Sequence, residues 1–382
     1  MRILLISDCP FFTSGYGSVI GRIADIFLSL GHHVEQIAWG LREEINYKYK
    51  LHPVPNNDFG KTIFTKIVDD FLPDICFAYG DLHNISYIGQ YKNRFFKFLA
   101  YYPVDSEQLT TAQKYIVNQM DMPITYSKTG LNATINATQR EDTRLIYHGI
   151  DPEIFIPLDK EFIKRKYGLS GKFVVGSVGR NSERKNFPAL IRSFADFAKD
   201  KDDVVLYLHT KPVDVGHNLY EHIMRNNIQD KVYITKDLDV ETGVDEKSFV
   251  EIYNLMDVYA SSTSGEGLML PSLEAQLCEV PVLVTDYSAC KEFVSKNMRI
   301  NTVGSYYLPL WDIERQIISN SDLTEKLNIY YKNRNVLPAI GKECRKYCEA
   351  FDWKYITPLW EYVIKELAGM IEKDGLEGFN TL

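Results

Sequence analysis

The stretch Asp257-Val-Tyr-Ala-Ser-Ser-Thr-Ser-Gly-Glu-Gly-Leu-Met-Leu-Pro-Ser-Leu-Glu274 decides how the chain folds. Its first four residues read as a short strand, and a Ser/Gly-rich loop follows. Pro271 suits the first turn of a helix, where the amide hydrogen it lacks would have no intrahelical partner. Strand, polar loop and helix start together make an anion site, because the first amides of a helix are unbonded and sit at the positive end of its macrodipole. Two carboxylates, Glu266 and Glu274, flank that helix start. A carboxylate there would repel a phosphate, so the pair is read as acceptors for hydroxyl groups, one on a sugar and one on a ribose.

The same unit repeats along the chain. The apolar run over 2–7 is of the kind buried on both faces in a parallel sheet. It opens into Asp8-Cys-Pro-Phe-Phe-Thr-Ser-Gly-Tyr-Gly17, and an amphipathic helix carrying Ile20, Ile23, Ala24, Phe27 and Leu30 follows, stopped by Gly31. Further strands are expected over 33–39, 75–79, 96–102, 124–126 and 144–147, with helices over 61–71, 85–91, 107–120 and 127–137 between them. In the second half, strands over 172–178, 204–208, 232–234 and 282–285 continue the alternation. The fold class is therefore α/β with doubly wound, Rossmann-like parallel sheets, whose ligands sit beyond the carboxyl ends of the strands. A chain of 382 residues fits two such domains. They are expected over 1–155, completed by a C-terminal helix near 358–382, and over 156–357. Tyr147-His-Gly-Ile-Asp-Pro152 resembles the inter-domain turn of a known two-domain family, which implies a hinge at which His148 either contacts ligand or makes a hinge hydrogen bond.

Directly after the strand over 172–178 comes Gly179-Arg-Asn-Ser-Glu-Arg-Lys-Asn186. Arg180 and Lys185, at a strand's carboxyl end and before a helix, form a pocket for roughly two negative charges, Arg180 as a planar fork and Lys185 as a mobile point charge. Arg184 is read as part of a solvated basic turn. His209, at the end of the next strand, is by itself read as a structural histidine. Asp105 either receives a sugar hydroxyl or caps the helix expected over 107–120. Gly15-x-Gly17-x3-Gly21 lacks the spacing of a dinucleotide fingerprint.

These motifs, in this order, resemble the family 4 retaining, nucleotide-sugar-dependent glycosyltransferases of GT-B architecture, in which two Rossmann-like domains face each other across a cleft. The E-x7-E signature of that family stands at Glu266 and Glu274, preceded by Tyr253-x3-Asp257-x3-Ser261, and its Gly-Arg-x4-Lys segment at Gly179 to Lys185. The resemblance implies transfer of a sugar, with retention, from a donor such as a UDP- or GDP-sugar to the hydroxyl of an unknown acceptor. Arg180, Lys185 and the helix start at Leu268, Met269 and Leu270 would hold the diphosphate. Glu274 would take the ribose hydroxyls, and Glu266 with the Gly267 and Leu268 amides would orient the sugar. His209 would meet the nucleotide, and the strand over 232–234 with Thr235 and Lys236 would form the wall for the base. Gly15 and Gly17 would let a backbone loop approach the donor phosphate or the acceptor; a flexible turn is the alternative. Val104 stands where relatives carry a histidine beside Asp105, and Met269, where glycine is usual, is expected to crowd the sugar pocket. A sugar-nucleotide epimerase of the same architecture and a non-catalytic nucleotide-sugar binding protein stay open as readings.

No metal or other cofactor is expected. Asp200-x-Asp202 and Asp237-x-Asp239 match the Asp-x-Asp motif of the other glycosyltransferase architecture, but neither lies in a metal loop. A net charge of −8 argues against a nucleic-acid polymer as partner. No apolar stretch approaches the ~20 residues of a membrane span, and the six cysteines show no Cys-x2-Cys pair. A reducing, cytoplasmic setting is the expectation.

Overall fold

The computed structural model describes the chain except for residues 55, 237, 239–242, 310 and 380–382, with side chains of the last helix described as far as residue 369. Two compact units emerge. One contains Met1–Val104, Gln108–Gly149 and the segment from Trp353; the other contains Asp105–Glu107 and Ile150–Asp352.

In the first unit the apolar runs become β1 (Arg2–Asp8), β2 (His33–Trp39), β3 (Lys50–Pro53), β4 (Ile75–Tyr79), β5 (Lys97–Tyr102), β6 (Met122–Thr125) and β7 (Arg144–Leu145). They pair in parallel in the order β3-β2-β1-β4-β5-β6-β7. Ile3, Leu4, Leu5 and Ile6 are all buried, so both faces of β1 are covered, as a parallel sheet requires. The helix Gly15–Ser29 starts at Ser14, whose hydroxyl accepts the Gly17 N–H. The last helix, Trp353–Phe379, inserts Trp360 among Phe27, Phe77 and Tyr101, with ring centroids 6.4, 5.5 and 4.9 Å away. No helix among the described residues is long and apolar enough to cross a membrane.

The second unit holds β8 (Phe173–Val178), β9 (Val204–His209), β10 (Val232–Ile234), β11 (Val258–Ala260), β12 (Val282–Thr285) and β13 (Arg299–Ile300) in the parallel order β10-β9-β8-β11-β12-β13. Strand order reverses between β8 and β11, and the loops that follow these two neighbours carry the candidate site. One side of the sheet packs on Leu190, Ile191, Phe194 and Phe197, the other on Tyr253, Met256 and Ala275. An antiparallel hairpin, β14 (Thr302–Leu308) and β15 (Ile313–Ile318), sets Tyr306 opposite Arg315.

Several elements differ from expectation, among them the helix expected over 85–91, which is Leu82–Gly89, and two that lie beside candidate residues. The helix expected over 107–120 is Thr111–Val117, started by a capping box in which Thr110 accepts from the Gln113 N–H and Gln113 accepts from the Thr110 N–H. Asp105 therefore caps nothing. The strand expected over 144–147 ends at Leu145, since the chain turns away toward the hinge.

Candidate functional site

The loops after β8 and β11 are stitched together by hydrogen bonds to main-chain carbonyls. The Ser264 N–H and hydroxyl donate to the Arg184 carbonyl at 2.7 and 3.0 Å, and the Ser262 hydroxyl donates to the Asn186 carbonyl at 2.7 Å. This brings Glu266 against the one-turn helix Glu183–Lys185. Glu266 is 4% exposed. Its Oε1 lies 2.6 Å from Lys185 Nζ and accepts the Thr263 hydroxyl at 3.0 Å, while its Oε2 meets Arg184 Nη1. Its own N–H donates to Ser288 Oγ at 2.9 Å. Burial alone would raise the carboxyl; the charges of Arg184 and then Lys185 outweigh it and hold Glu266 down at about 2.

Lys185 folds back over Gly179, the first residue after β8. Gly179 has φ +150°, a conformation that suits glycine, and a Cβ there would stand 3.5 Å from the Lys185 ammonium. Among the described residues Glu266 is the ammonium's one hydrogen-bonding partner, so two of its three N–H groups are available to a ligand at the strand end.

The helix Leu270–Leu277 begins beyond the loop with Pro271 in its first turn and Met269 at the cap position without a side-chain cap bond. The amides of Gly267, Leu268 and Met269 find no acceptor among the described residues, which leaves donors at the positive end of this helix. One turn in, Glu274 accepts the Tyr253 hydroxyl from the helix Glu246–Asn254. Burial pushes Glu274 up to about 7 despite the Tyr253 hydrogen bond and the nearby Lys185 charge. The two glutamates thus differ: Glu266 is fixed as a carboxylate, and Glu274 exchanges its proton near neutrality.

Other expected residues are distributed differently. The Met269 side chain is 1% exposed and packs into the core beside Tyr253 and Tyr259, so it fills the interior and does not crowd the loop face. Arg184 is no solvated turn residue: it clasps Glu266, and its Nη1 reaches the Gly265 carbonyl at 3.4 Å. Arg180 is 57% exposed and pairs with Asp214 at 2.8 Å. His209 is buried, hydrogen-bonds Thr235 Oγ1 at 2.9 Å, and is pushed down to about 4 by burial. Beyond the ends of β9 and β10, Lys211, Tyr220, Ile234, Thr235 and Lys236 line a cavity of about 400 Å³. Asp105 accepts from Arg315 at its side chain and its carbonyl, both at 2.6 Å.

Gly15 and Gly17 lie in the first unit, Gly15 exposed and Gly17 buried with its N–H on Ser14 Oγ at 2.9 Å. His148, also there, is held as a structural group. Tyr101 gives its hydroxyl hydrogen to the Ile146 carbonyl at 2.8 Å and takes the His148 Nδ1–H at 2.7 Å, and the Tyr79 hydroxyl donates to Nε2 at 2.9 Å. Asp200 and Asp202 fall in the turn before β9, and Asp237-x-Asp239 lies outside the described residues.

Sequence reasoning missed Arg184, Arg315, Thr263 and Ser288. Arg184 was legible only through its adjacency to Lys185. Arg315 could have been found from the β-rich run over 302–308 followed, after four residues that open with Pro309, by Ile-Glu-Arg-Gln-Ile-Ile318.

Residues 159–303 match the model of the family described as glycosyl transferases group 1. The chain is 25% identical over 229 residues to the capsular polysaccharide biosynthesis glycosyltransferase CapM of Staphylococcus aureus, covering 58% of this chain and 55% of that protein. It spans about half the length of the curated relatives it matches. Sucrose-phosphate synthase from Thermosynechococcus elongatus superposes with a TM-score of 0.77 at 15% identity, over 97% of this chain and 100% of that one. HepE from Anabaena, in complex with UDP and glucose, does so with a TM-score of 0.72 at 17% identity, over 96% and 100%. The fold is of the GT-B type.

Proposed function

We propose that the chain is a retaining glycosyltransferase that uses a nucleoside-diphosphate sugar and needs no metal ion. The observation that carries the reading is the Lys185 ammonium: largely buried, poised over Gly179 at the end of β8, with one partner among the described residues and two N–H groups to spare. In this reading Lys185 and the amides of Leu268 to Leu270 take the donor diphosphate. Arg180 keeps a secondary place, since a diphosphate has to compete with Asp214 for its guanidinium. Glu266 and the Gly267 amide orient the donor sugar, Glu274 receives the ribose hydroxyls, and the cavity beside Thr235 and Lys236, near His209, takes the base. Asp105, engaged by Arg315, shapes the loop and does not touch the sugar. Gly15 and Gly17 stay with the first unit, which is assigned to the acceptor.

The bond from the anomeric carbon to the phosphate oxygen breaks while the acceptor oxygen bonds to the same carbon on the face the leaving group vacates. The acceptor's proton passes to the departing phosphate oxygen. Negative charge grows on that phosphate, and a preorganised ammonium there lowers the barrier. The test is a thermal-shift screen with nucleoside diphosphates and their sugars, followed by transfer assays. A nucleoside diphosphate at about 100 times its dissociation constant should add ~2.7 kcal/mol of stability. If no nucleoside diphosphate or nucleotide sugar shifts the melt, the reading is wrong.

A further inference from the structure

Glu266 carries a cation on each carboxylate oxygen, Lys185 on Oε1 and Arg184 on Oε2. The two cations are tethered differently. The Arg184 carbonyl is gripped by the N–H and the hydroxyl of Ser264, and its guanidinium bonds both Glu266 and the Gly265 carbonyl, so it travels with the loop that carries Glu266. Lys185 reaches back on a flexible stem to the end of β8, and Glu266 is its one partner among the described residues.

We infer that Arg184 is the positioning residue that keeps Glu266 charged and in place when a diphosphate competes with it for the Lys185 ammonium. The inference deepens the proposed donor site and rests on that reading for the identity of the anion. A diphosphate offers more negative charge than one carboxylate, and a compact ammonium on four methylenes follows it readily. Without Arg184, Glu266, 4% exposed, would then stand as a buried carboxylate without a counter-charge and would take up a proton. A neutral acid in that position could no longer accept hydrogen bonds through both oxygens.

Among the described residues no cation besides Arg184 and Lys185 pairs with Glu266. Tyr259, on β11, and Cys290, in the turn after β12, both sense the Glu266 charge, and burial first and Glu266 second push each of them up, so both stay neutral. Ser288 uses its oxygen to accept the Glu266 N–H. Glu274 senses Lys185 from the following helix and bears the wrong sign. Arg184 remains, with a guanidinium that is charged at every relevant pH.

The experiment follows the Glu266 carboxyl by ¹³C NMR in protein labelled at glutamate, with Glu266→Gln supplying the assignment. Lys185→Gln mimics the diverted lysine without any donor. In that variant Glu266 should still be ionised at pH 4, because Arg184 suffices. Protonation there near pH 5 or above overturns the inference. In Arg184→Gln, saturating UDP or GDP should raise the Glu266 titration by roughly 1–3 pH units, the scale for losing one adjacent opposite charge. Arg184→Lys should restore most of the difference and also reports if Arg184→Gln folds poorly. The acid limb of kcat/KM should move with the NMR titration. An Arg184→Gln titration unmoved by bound nucleotide overturns the inference even if the donor reading stands. A wild-type protein that binds neither nucleotide overturns the donor reading, while the Lys185→Gln result still decides the role of Arg184.

Discussion

Tyr253 donates its hydroxyl to Glu274, joining the helix before β11 to the helix after it. The contact does not offset the cost of burying the carboxylate, and Glu274 holds its proton up to about 7 against an ordinary value of 4.5. The folded chain therefore binds more protons than the unfolded chain between these values, so Glu274 lowers stability as pH rises from about 4.5 to 7 and no further above. Glu274→Gln should match the wild type near pH 4 and exceed it by roughly 3 kcal/mol at pH 8. Urea denaturation at the two pH values measures this, and parallel stability curves for the two proteins would refute it. The same variant should weaken nucleoside-diphosphate binding.

Glu266 behaves in the opposite sense. Held down at about 2 in the folded chain, it contributes stability that is fully present above about pH 4.5 and is lost as pH falls through 2. Glu266→Gln leaves Arg184 and Lys185 facing each other without their shared anion. At pH 7 it should cost roughly 3–5 kcal/mol, the scale for breaking a buried pair, and the gap should narrow toward pH 2. Denaturation curves across that range test it; a gap that does not depend on pH contradicts it.

Lys185 and Arg180 should separate in kinetics. Lys185→Ala removes a preorganised donor and should lower turnover about 10²–10³-fold. Arg180 is more than half exposed and already paired with Asp214, so Arg180→Ala should lower turnover less than about tenfold. Equal losses in transfer assays would return Arg180 to the centre of the site.

Gly265 is a third point of leverage. A Cβ there would lie 2.2 Å from the Asp105 carbonyl oxygen and 3.0 Å from Arg315 Nη1, whereas one at Gly304 on the hairpin meets nothing within 4 Å. Gly265→Ala should cost roughly 1–3 kcal/mol by overpacking and displace Glu266. Gly304→Ala is the control. Comparable melting temperatures for both variants would contradict the tight fit at Gly265.

The fold was legible where burial dictates composition. Strands such as Ile75–Tyr79 and Val282–Thr285 are continuous apolar runs because both their faces are covered. Strand β3 and the helix Glu246–Asn254 escaped, the first as a four-residue edge strand ending in Pro53, the second because polar residues dilute its periodic face. Glu266, Glu274 and Lys185 were readable from the strand-loop-helix setting. Arg184 and Arg315 were not, since what matters in each is a partner distant in sequence: Glu266 lies 82 positions beyond Arg184, and Asp105 lies 210 positions before Arg315.

Arg315 is 3% exposed, and Asp105 neutralises it with both a carboxylate and a carbonyl oxygen. A fragment cut to begin at Ile150 would keep the guanidinium and forfeit that anion, which enters by a three-residue piece encoded far upstream. Such a fragment should express poorly for a reason unrelated to nucleotide recognition, and an Arg315→Met substitution in the excised piece is the natural remedy.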